Sequence, residues 1–343
     1  MIPHNRPQIK NIDIEAVSDV MRDGWLAQGP AVDALERAFC GMLGGGYACA
    51  VSSGTAALAM ALHGLGIGKG DFVAVPTYAC SALLNAVHFV DAKALPCDVR
   101  EDDFTIDVNQ ASGFRNVIAV NTFGAQTNTG ALMASGGRVI EDCAHSIGGK
   151  LDIMPDARTY SFYATKVITG GQGGLLWGRQ PPIIDATKDY REFDCVEEYY
   201  PRFNLQMTDM QAAMITSQLT RIDAIRNQRH IIRVEYLHAA EELLSNGWRI
   251  QAGITPSSMP YRCVLVAPTN DDRDELYHHM REHNITTIVP LEQYELLHNY
   301  LGLSKDKYPI AEHLAATTIS LPLYPSLTLD EINKVCGALR RFY

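Results

Sequence analysis

The feature that most constrains this chain is a succession of short apolar runs, at residues 47–52, 72–76, 116–123, 138–142, 159–163 and 174–178. Several lack the alternation of a strand that faces water on one side, so they suit strands covered on both faces. Stretches with helical spacing, such as 55–65 and 81–90, lie between them. Together these runs predict an α/β fold with a large, mostly parallel sheet flanked by helices.

At Thr208-Asp-Met-Gln211 a capping-box pattern opens what reads as one long amphipathic helix towards Leu244. Beyond it, the run at 261–266 and helical stretches at 271–283 and 330–341 predict a small α+β layer. The expected division is a large domain with its N-terminal segment at 1–207, a connecting helix at 208–244, and a small C-terminal domain at 245–343. A chain of 343 residues suffices for both domains.

Composition narrows the function classes. With 47% apolar and 20% charged residues the chain reads as globular and soluble. Gly, Pro, His or Asp interrupts each apolar stretch well before the ~18 residues that a membrane span needs. Met1-Ile-Pro-His-Asn-Arg-Pro7 has no apolar core of signal-peptide type, so the expected location is the cytoplasm. A net charge of −10, with no Lys/Arg cluster, argues against a nucleic-acid surface. The eight cysteines are spread singly, with no C-x-x-C pair, and read as reduced residues rather than a disulfide frame or a zinc site.

The chemistry centres on Lys166. It closes the run Thr159-Tyr-Ser-Phe-Tyr-Ala-Thr-Lys166 and precedes the turn Thr169-Gly-Gly-Gln-Gly-Gly174. A strand that delivers one lysine into a glycine-lined turn presents a desolvated amine. Such an amine can form a Schiff base with an aldehyde cofactor, usually pyridoxal phosphate (PLP). The same lysine could instead be a surface residue at a strand end.

Other motifs carry the same double reading. In Ser52-Ser-Gly-Thr-Ala-Ala57 a strand gives way to a helix, so the amides around Gly54 and the Thr55 hydroxyl could hold a phosphate. The segment could also be an ordinary turn. Ser161 could add a hydroxyl to that phosphate, or be a plain strand serine. Asp142 ends a strand, where α/β sheets bind their ligands, and a carboxylate at that depth needs a cation. A protonated pyridine nitrogen would serve, and the pair would keep the ring a strong electron sink. The alternative is an N-cap for the residues that follow. His145 could bond to or pack on the same ring, or be structural. Asn204 offers an amide at a loop end, and Glu197-Glu-Tyr-Tyr-Pro201 could be a loop over a site or plain surface.

Taken in order, these segments resemble the DegT/StrS-like sugar aminotransferases, which are fold-type I PLP enzymes. The likeness covers nearly the whole chain. It runs through Trp25-Leu-Ala-Gln-Gly-Pro30, Leu35-Glu36, Ser52-Ser-Gly-Thr-Ala-Ala-Leu58, Gly66-Ile-Gly-Lys-Gly-Asp71 and Val75-Pro76. It continues through Ile140-Glu-Asp-Cys-Ala-His145, Ser161-Phe-Tyr-Ala-Thr-Lys166, Gly171-Gln-Gly-Gly174, Met207-Thr208, Gln211-Ala-Ala213, Gln218-Leu219 and Ser320-Leu-Pro-Leu-Tyr-Pro325.

The resemblance implies that Lys166 bonds the cofactor and carries the proton. It implies that Asp142 pairs with the pyridine nitrogen and that His145 supports the ring or its phenolic oxygen. Gly54, Thr55 and Ser161 would hold the phosphate. Asn204 would reach the phosphate of a neighbouring subunit's cofactor, which implies a homodimer with shared sites. The implied reaction moves nitrogen from L-glutamate to a keto sugar, usually linked to a nucleoside diphosphate, for amino-sugar or surface-polysaccharide biosynthesis. No metal is implied.

Three positions depart from the family pattern. In Pro76-Thr-Tyr-Ala-Cys-Ser81 the residue that aligns with the usual ring-stacking aromatic is Cys80, so either Cys80 packs on the cofactor or Tyr78 substitutes from nearby. Gln172 stands where many relatives carry glutamate. Val289-Pro-Leu-Glu-Gln293 replaces a segment that often brings a histidine to the sugar. Rival readings are a sugar dehydratase, whose family form has histidine in place of the lysine, and a PLP-binding regulatory protein without turnover.

Overall fold

The apolar runs pair into a seven-stranded sheet. The structure, a computed structural model, describes residues 1–151 and 153–342. The strands are β1 (Tyr47–Val51), β2 (Phe72–Pro76), β3 (Lys93–Cys97), β4 (Asn116–Val120), β5 (Arg138–Asp142), β6 (Ala157–Ser161) and β7 (Gly174–Gly178), in the order β1-β7-β6-β5-β4-β2-β3. Neighbours from β6 through β3 run parallel, and β7 alone runs against both of its neighbours. The fold is the expected α/β architecture with a mixed, mostly parallel sheet.

In the large sheet three boundaries, one of them by a single residue at the end of β1, and one strand differ from the sequence expectation. Strand β6 lies two residues earlier, ending at Ser161. The Phe162 carbonyl turns away to accept from the Gly170 amide (3.0 Å) and the Thr169 hydroxyl (3.1 Å). Strand β4 stops at Val120, because Thr122–Gly124 folds into a 3₁₀ turn with Phe123 at φ 55°. Strand β3 has no counterpart among the expected runs. Its sequence Lys-Ala-Leu-Pro-Cys carries a charge and a proline, which an edge strand tolerates and a central one does not.

The helix Gly54–Gly64 buries every residue from Ala56 to Leu62 and packs on β6 and β7, which explains its apolar composition all round. The expected single helix from Thr208 to Leu244 is three helices: Asp209–Leu219, Ile222–Ala239 and Glu241–Ser245. The capping box is present, with Thr208 and Gln211 bonding reciprocally. The first break has a local cause. The Thr220 hydroxyl bonds back to the Ser217 carbonyl (2.7 Å), and Arg221 turns to form an ion pair with the buried Asp13 (2.5 Å).

Helix Ile222–Ala239 bridges two cores. Ile222 and Ile225 pack with Phe39 and Tyr160 beneath the large sheet, whereas Ile232 and Tyr236 pack with Leu265 and Leu339. This second core surrounds an antiparallel sheet of β8 (Arg249–Ile250), β9 (Cys263–Val266) and β10 (Thr318–Leu321). Ile2 joins it too, pairing with Ile285. The first residues of the chain are thereby tied to the last third. Among the described residues no helix is long and apolar enough to cross a membrane.

Candidate active site

Where β4 and β5 end and the loop after β6 begins, the structure opens a cavity of about 440 Å³. That size falls within the ~300–1,000 Å³ typical of small-molecule sites. Of the residues singled out from sequence, Gly54, Thr55, Cys80, Asp142, His145, Ser161 and Lys166 all line it. Asn204 does not. It is exposed, and among the described residues its side chain accepts only from the Gln206 amide (3.2 Å).

Lys166 stands on the loop beyond β6 rather than at its end. A turn in which the Lys166 amide bonds the Tyr163 carbonyl (2.9 Å) sets its position. Its Nζ lies 5.3 Å from the centroid of the Tyr261 ring. The loop returns through Gly173, whose φ of 132° is open to glycine alone and whose carbonyl accepts from the Phe162 amide (2.9 Å). Tyr261 also fixes this loop by donating to the Thr165 carbonyl (3.3 Å).

The phosphate-type turn is built by close approach. A Cβ on Gly54 would lie 2.8 Å from the Cβ of Ser161, so only glycine lets the helix start against β6. Ser53 caps that helix, its Oγ accepting from the Ala56 amide (3.1 Å). The amides of Gly54 and Thr55 lie ahead of the helix's own hydrogen-bond ladder, and both residues line the cavity. Amides, helix dipole and the Thr55 and Ser161 hydroxyls together form an anion cradle.

Asp142 is 9% exposed. Burial pushes its carboxyl above the ordinary value, against the opposing pull of the Ala144 amide and the Lys166 charge. The Ala144 bond (2.9 Å to Oδ1) is its one hydrogen bond among the described residues. The N-cap-like reading is thus partly realised, although residues 143–149 form turns rather than a helix. A carboxylate so placed is stabilised by a cation arriving in the cavity.

His145 stacks on Tyr261, with ring centroids 4.2 Å apart and planes 9° from parallel. Burial, and then the charges of Lys166 and Arg262, hold its imidazole well below the ordinary value. It is neutral. Nδ1 accepts from the Phe123 amide (3.4 Å), which assigns the proton to Nε2 and makes that atom a donor.

Cys80 and Tyr78 both line the cavity, and packing sets them apart. Tyr78 is fully buried, its hydroxyl 3.0 Å from that of Thr318 and its ring edge-on to Phe104 and Phe123. Cys80 is exposed at the cavity wall and free to meet a ring. The residues present therefore fit PLP: an anion cradle, a buried carboxylate seeking a cation, a neutral donor and one amine.

Sequence reasoning missed most of the wall opposite the large sheet. Tyr261 and Arg262, just ahead of β9, and Tyr300 carried no such expectation, whereas Pro290 and Leu291 belong to the segment 289–293 that the sequence singled out. The segment 261–266 was legible only as a strand. The one signal of function there was an aromatic and a cation ahead of an otherwise apolar run.

Comparison with known proteins places this geometry in context. The sequence model of the DegT/DnrJ/EryC1/StrS aminotransferase family matches residues 7–340. The chain is 26% identical to the spore coat polysaccharide biosynthesis protein SpsC of Bacillus subtilis, across 99% of this chain and 96% of that one. It is also 26% identical to a dTDP-3-amino-3,4,6-trideoxy-alpha-D-glucose transaminase of Micromonospora megalomicea, across 95% and 93%. The PLP form of a sugar aminotransferase from Streptococcus pneumoniae, described as putative, superposes with a TM-score of 0.89 at 22% identity, covering 99% and 98% of the two chains.

Proposed function

The chain belongs to the DegT/DnrJ/EryC1/StrS family of PLP-dependent aminotransferases, and from that premise we propose that it moves the amino group of L-glutamate onto a nucleotide-linked keto sugar. The product would serve amino-sugar or surface-polysaccharide biosynthesis. One observation carries the reading: a buried carboxylate held above its ordinary pKa, Asp142, shares a cavity with a single lysine. That pairing suits a cofactor that brings a cationic ring nitrogen and an aldehyde. It has no use in a simple sugar-binding cleft.

Bound PLP supplies an electron sink for the charge that develops on the donor's α-carbon. The chain's own residues do the rest. Lys166 would hold the cofactor and would move the proton at the donor's α-carbon. Asp142 would keep the ring nitrogen protonated, and His145 would offer its Nε2 proton to the phenolic oxygen. Thr55, Ser161 and the helix amides would hold the phosphate, and Cys80 would pack on the ring. The wall of Pro290, Leu291 and Tyr300 shapes the space for the acceptor.

We place the enzyme in the cytoplasm as a homodimer. All eight cysteines are unpaired, which suits a reducing compartment. Ile12, Ile14, Met21 and Trp25 are more than half exposed along the first helix and the turn after it, as a covered face would require. Asn204 lies outside its own cavity on a segment with the exposed Phe203, a placement that suits contact with a partner's phosphate. The nucleotide handle draws support from the dTDP-sugar relative.

The test is spectroscopic. The protein loaded with PLP should carry the visible band of a lysine-bound cofactor, and L-glutamate should bleach it. Lys166→Ala should lose both the band and turnover. A band retained in that variant would remove the lysine assignment. A band insensitive to glutamate but shifted by other amino acids would remove the donor.

A further inference from the structure

Arg262 is a cation without an anion. Its guanidinium carbon lies 5.3 Å from the Phe123 ring centroid and 5.4 Å from that of Tyr261, so two aromatic rings fix the side chain in the cavity wall. Among the described residues its one side-chain hydrogen bond runs from Nη1 to His4 Nε2 (3.4 Å), an atom also 3.0 Å from the Ser320 hydroxyl. It joins no ion pair among the described residues, and its Nε is buried without a partner.

A second guanidinium stands behind it. Arg229 is 2% exposed and, among the described residues, its hydrogen bonds go only to the backbone carbonyls of Pro260, Tyr261 and Leu323. Its Nε, too, is buried and unpartnered. Both arginines line a recess of about 130 Å³ that shares Thr165, Tyr261 and Arg262 with the main cavity. The neighbouring titratable groups register the uncompensated charge. His4 is held down at about 3 by burial and then by Arg262 and Arg229. Burial would raise the Tyr261 phenol, yet Lys166 and Arg262 bring it below its ordinary value.

We propose that Arg262 docks a carboxylate of the amino donor. This rests on the aminotransferase reading and names the donor subsite within it. Arg262 and Lys166 lie within 5.4 Å of the same Tyr261 ring. In an α-amino acid the carboxylate is attached to the carbon whose proton Lys166 moves, so it must lie beside the lysine. The phosphate of a nucleotide-linked sugar is separated from the reacting carbon by the sugar ring and belongs farther out. A planar fork held beside two aromatic rings is preorganised for bidentate carboxylate binding.

The probe is glutarate, which keeps both carboxylates of glutamate and lacks the amine. Titrated into the PLP-loaded protein by calorimetry, it should bind 10- to 100-fold more weakly to Arg262→Gln, with Arg262→Lys between that variant and the wild type. In stopped-flow bleaching, Arg262→Gln should raise the KM for L-glutamate by a similar factor. The rate with n-butylamine, which has no carboxylate, should be unchanged.

Equal glutarate binding by wild type and Arg262→Gln, or equal losses with glutamate and butylamine, would overturn the assignment. So would a loss confined to the nucleotide-linked acceptor. A wild-type protein inert to every amino acid would sink the function proposed above. Arg262-dependent glutarate binding would uphold the carboxylate site even then.

Discussion

Glu141 and Asp142 are consecutive residues of β5, both buried, and they live in opposite electrostatic worlds. Alternation sends their side chains to different faces of the sheet. Beneath it, Glu141 takes the Arg158 Nε at 2.6 Å and the Asn121 amide at 2.9 Å, and Arg158 in turn lies over Trp177. Above it, Asp142 meets one backbone amide and an open cavity. One carboxylate is finished by the fold, whereas the other is left for something the fold does not contain. The difference separates scaffold from site more sharply than burial does, since burial is shared.

Substitution should drive the two apart. Glu141→Gln strands the buried Arg158 charge and should cost about 3–5 kcal/mol in urea unfolding. Asp142→Asn removes a desolvated charge, so the cofactor-free protein should be as stable as wild type or more so. Turnover should nevertheless fall on the order of 10²- to 10³-fold, because the ring nitrogen loses its partner. Equal destabilisation by both changes would make Asp142 a turn residue and end the contrast.

The same contrast explains what the sequence made legible. Asp142, Lys166 and Gly54 stand at strand ends or in the turns that follow them, and strand ends announce themselves through apolar runs that stop at a polar or glycine residue. The wall facing them has no such signature. Tyr261 and Arg262 reach the cavity because two layers pack together, and His4 reaches the adjoining recess because Ile2 pairs with Ile285. Contacts between segments some 250 residues apart leave no periodicity to read. The break at Thr220–Arg221 was hidden for a similar reason: the acid that draws Arg221 out of line is Asp13, at the other end of the chain.

Within the facing wall, Leu291 should govern the acceptor, as Arg262 is proposed to govern the donor. Leu291 is half-buried beside Pro290, outside the cradle and away from Asp142. Leu291→Ala should raise the acceptor's KM about tenfold, as expected for lost apolar contact, and leave bleaching by L-glutamate at the wild-type rate. A slowed glutamate half-reaction would show that Leu291 also positions the donor, and the division of labour between Leu291 and Arg262 would fail.

The smallest effect concerns His4, which faces Arg262, Arg229 and the Ser320 hydroxyl. Its folded pKa of about 3 lies below the ordinary 6.5 because of burial and the two arginines. Between those values the unfolded chain binds a proton that the folded chain refuses, so stability falls as pH drops from about 6.5 towards 3. His4→Gln removes that term. Its stability relative to wild type should improve by about 1 kcal/mol between pH 7.5 and pH 5.5, measured by urea unfolding at each pH. Saturating glutarate at pH 5.5 should shrink the gap, since a carboxylate on Arg262 offsets the charge that His4 senses. An unchanged gap would mean that His4 responds to burial alone and that the recess carries no field for an anion to relieve.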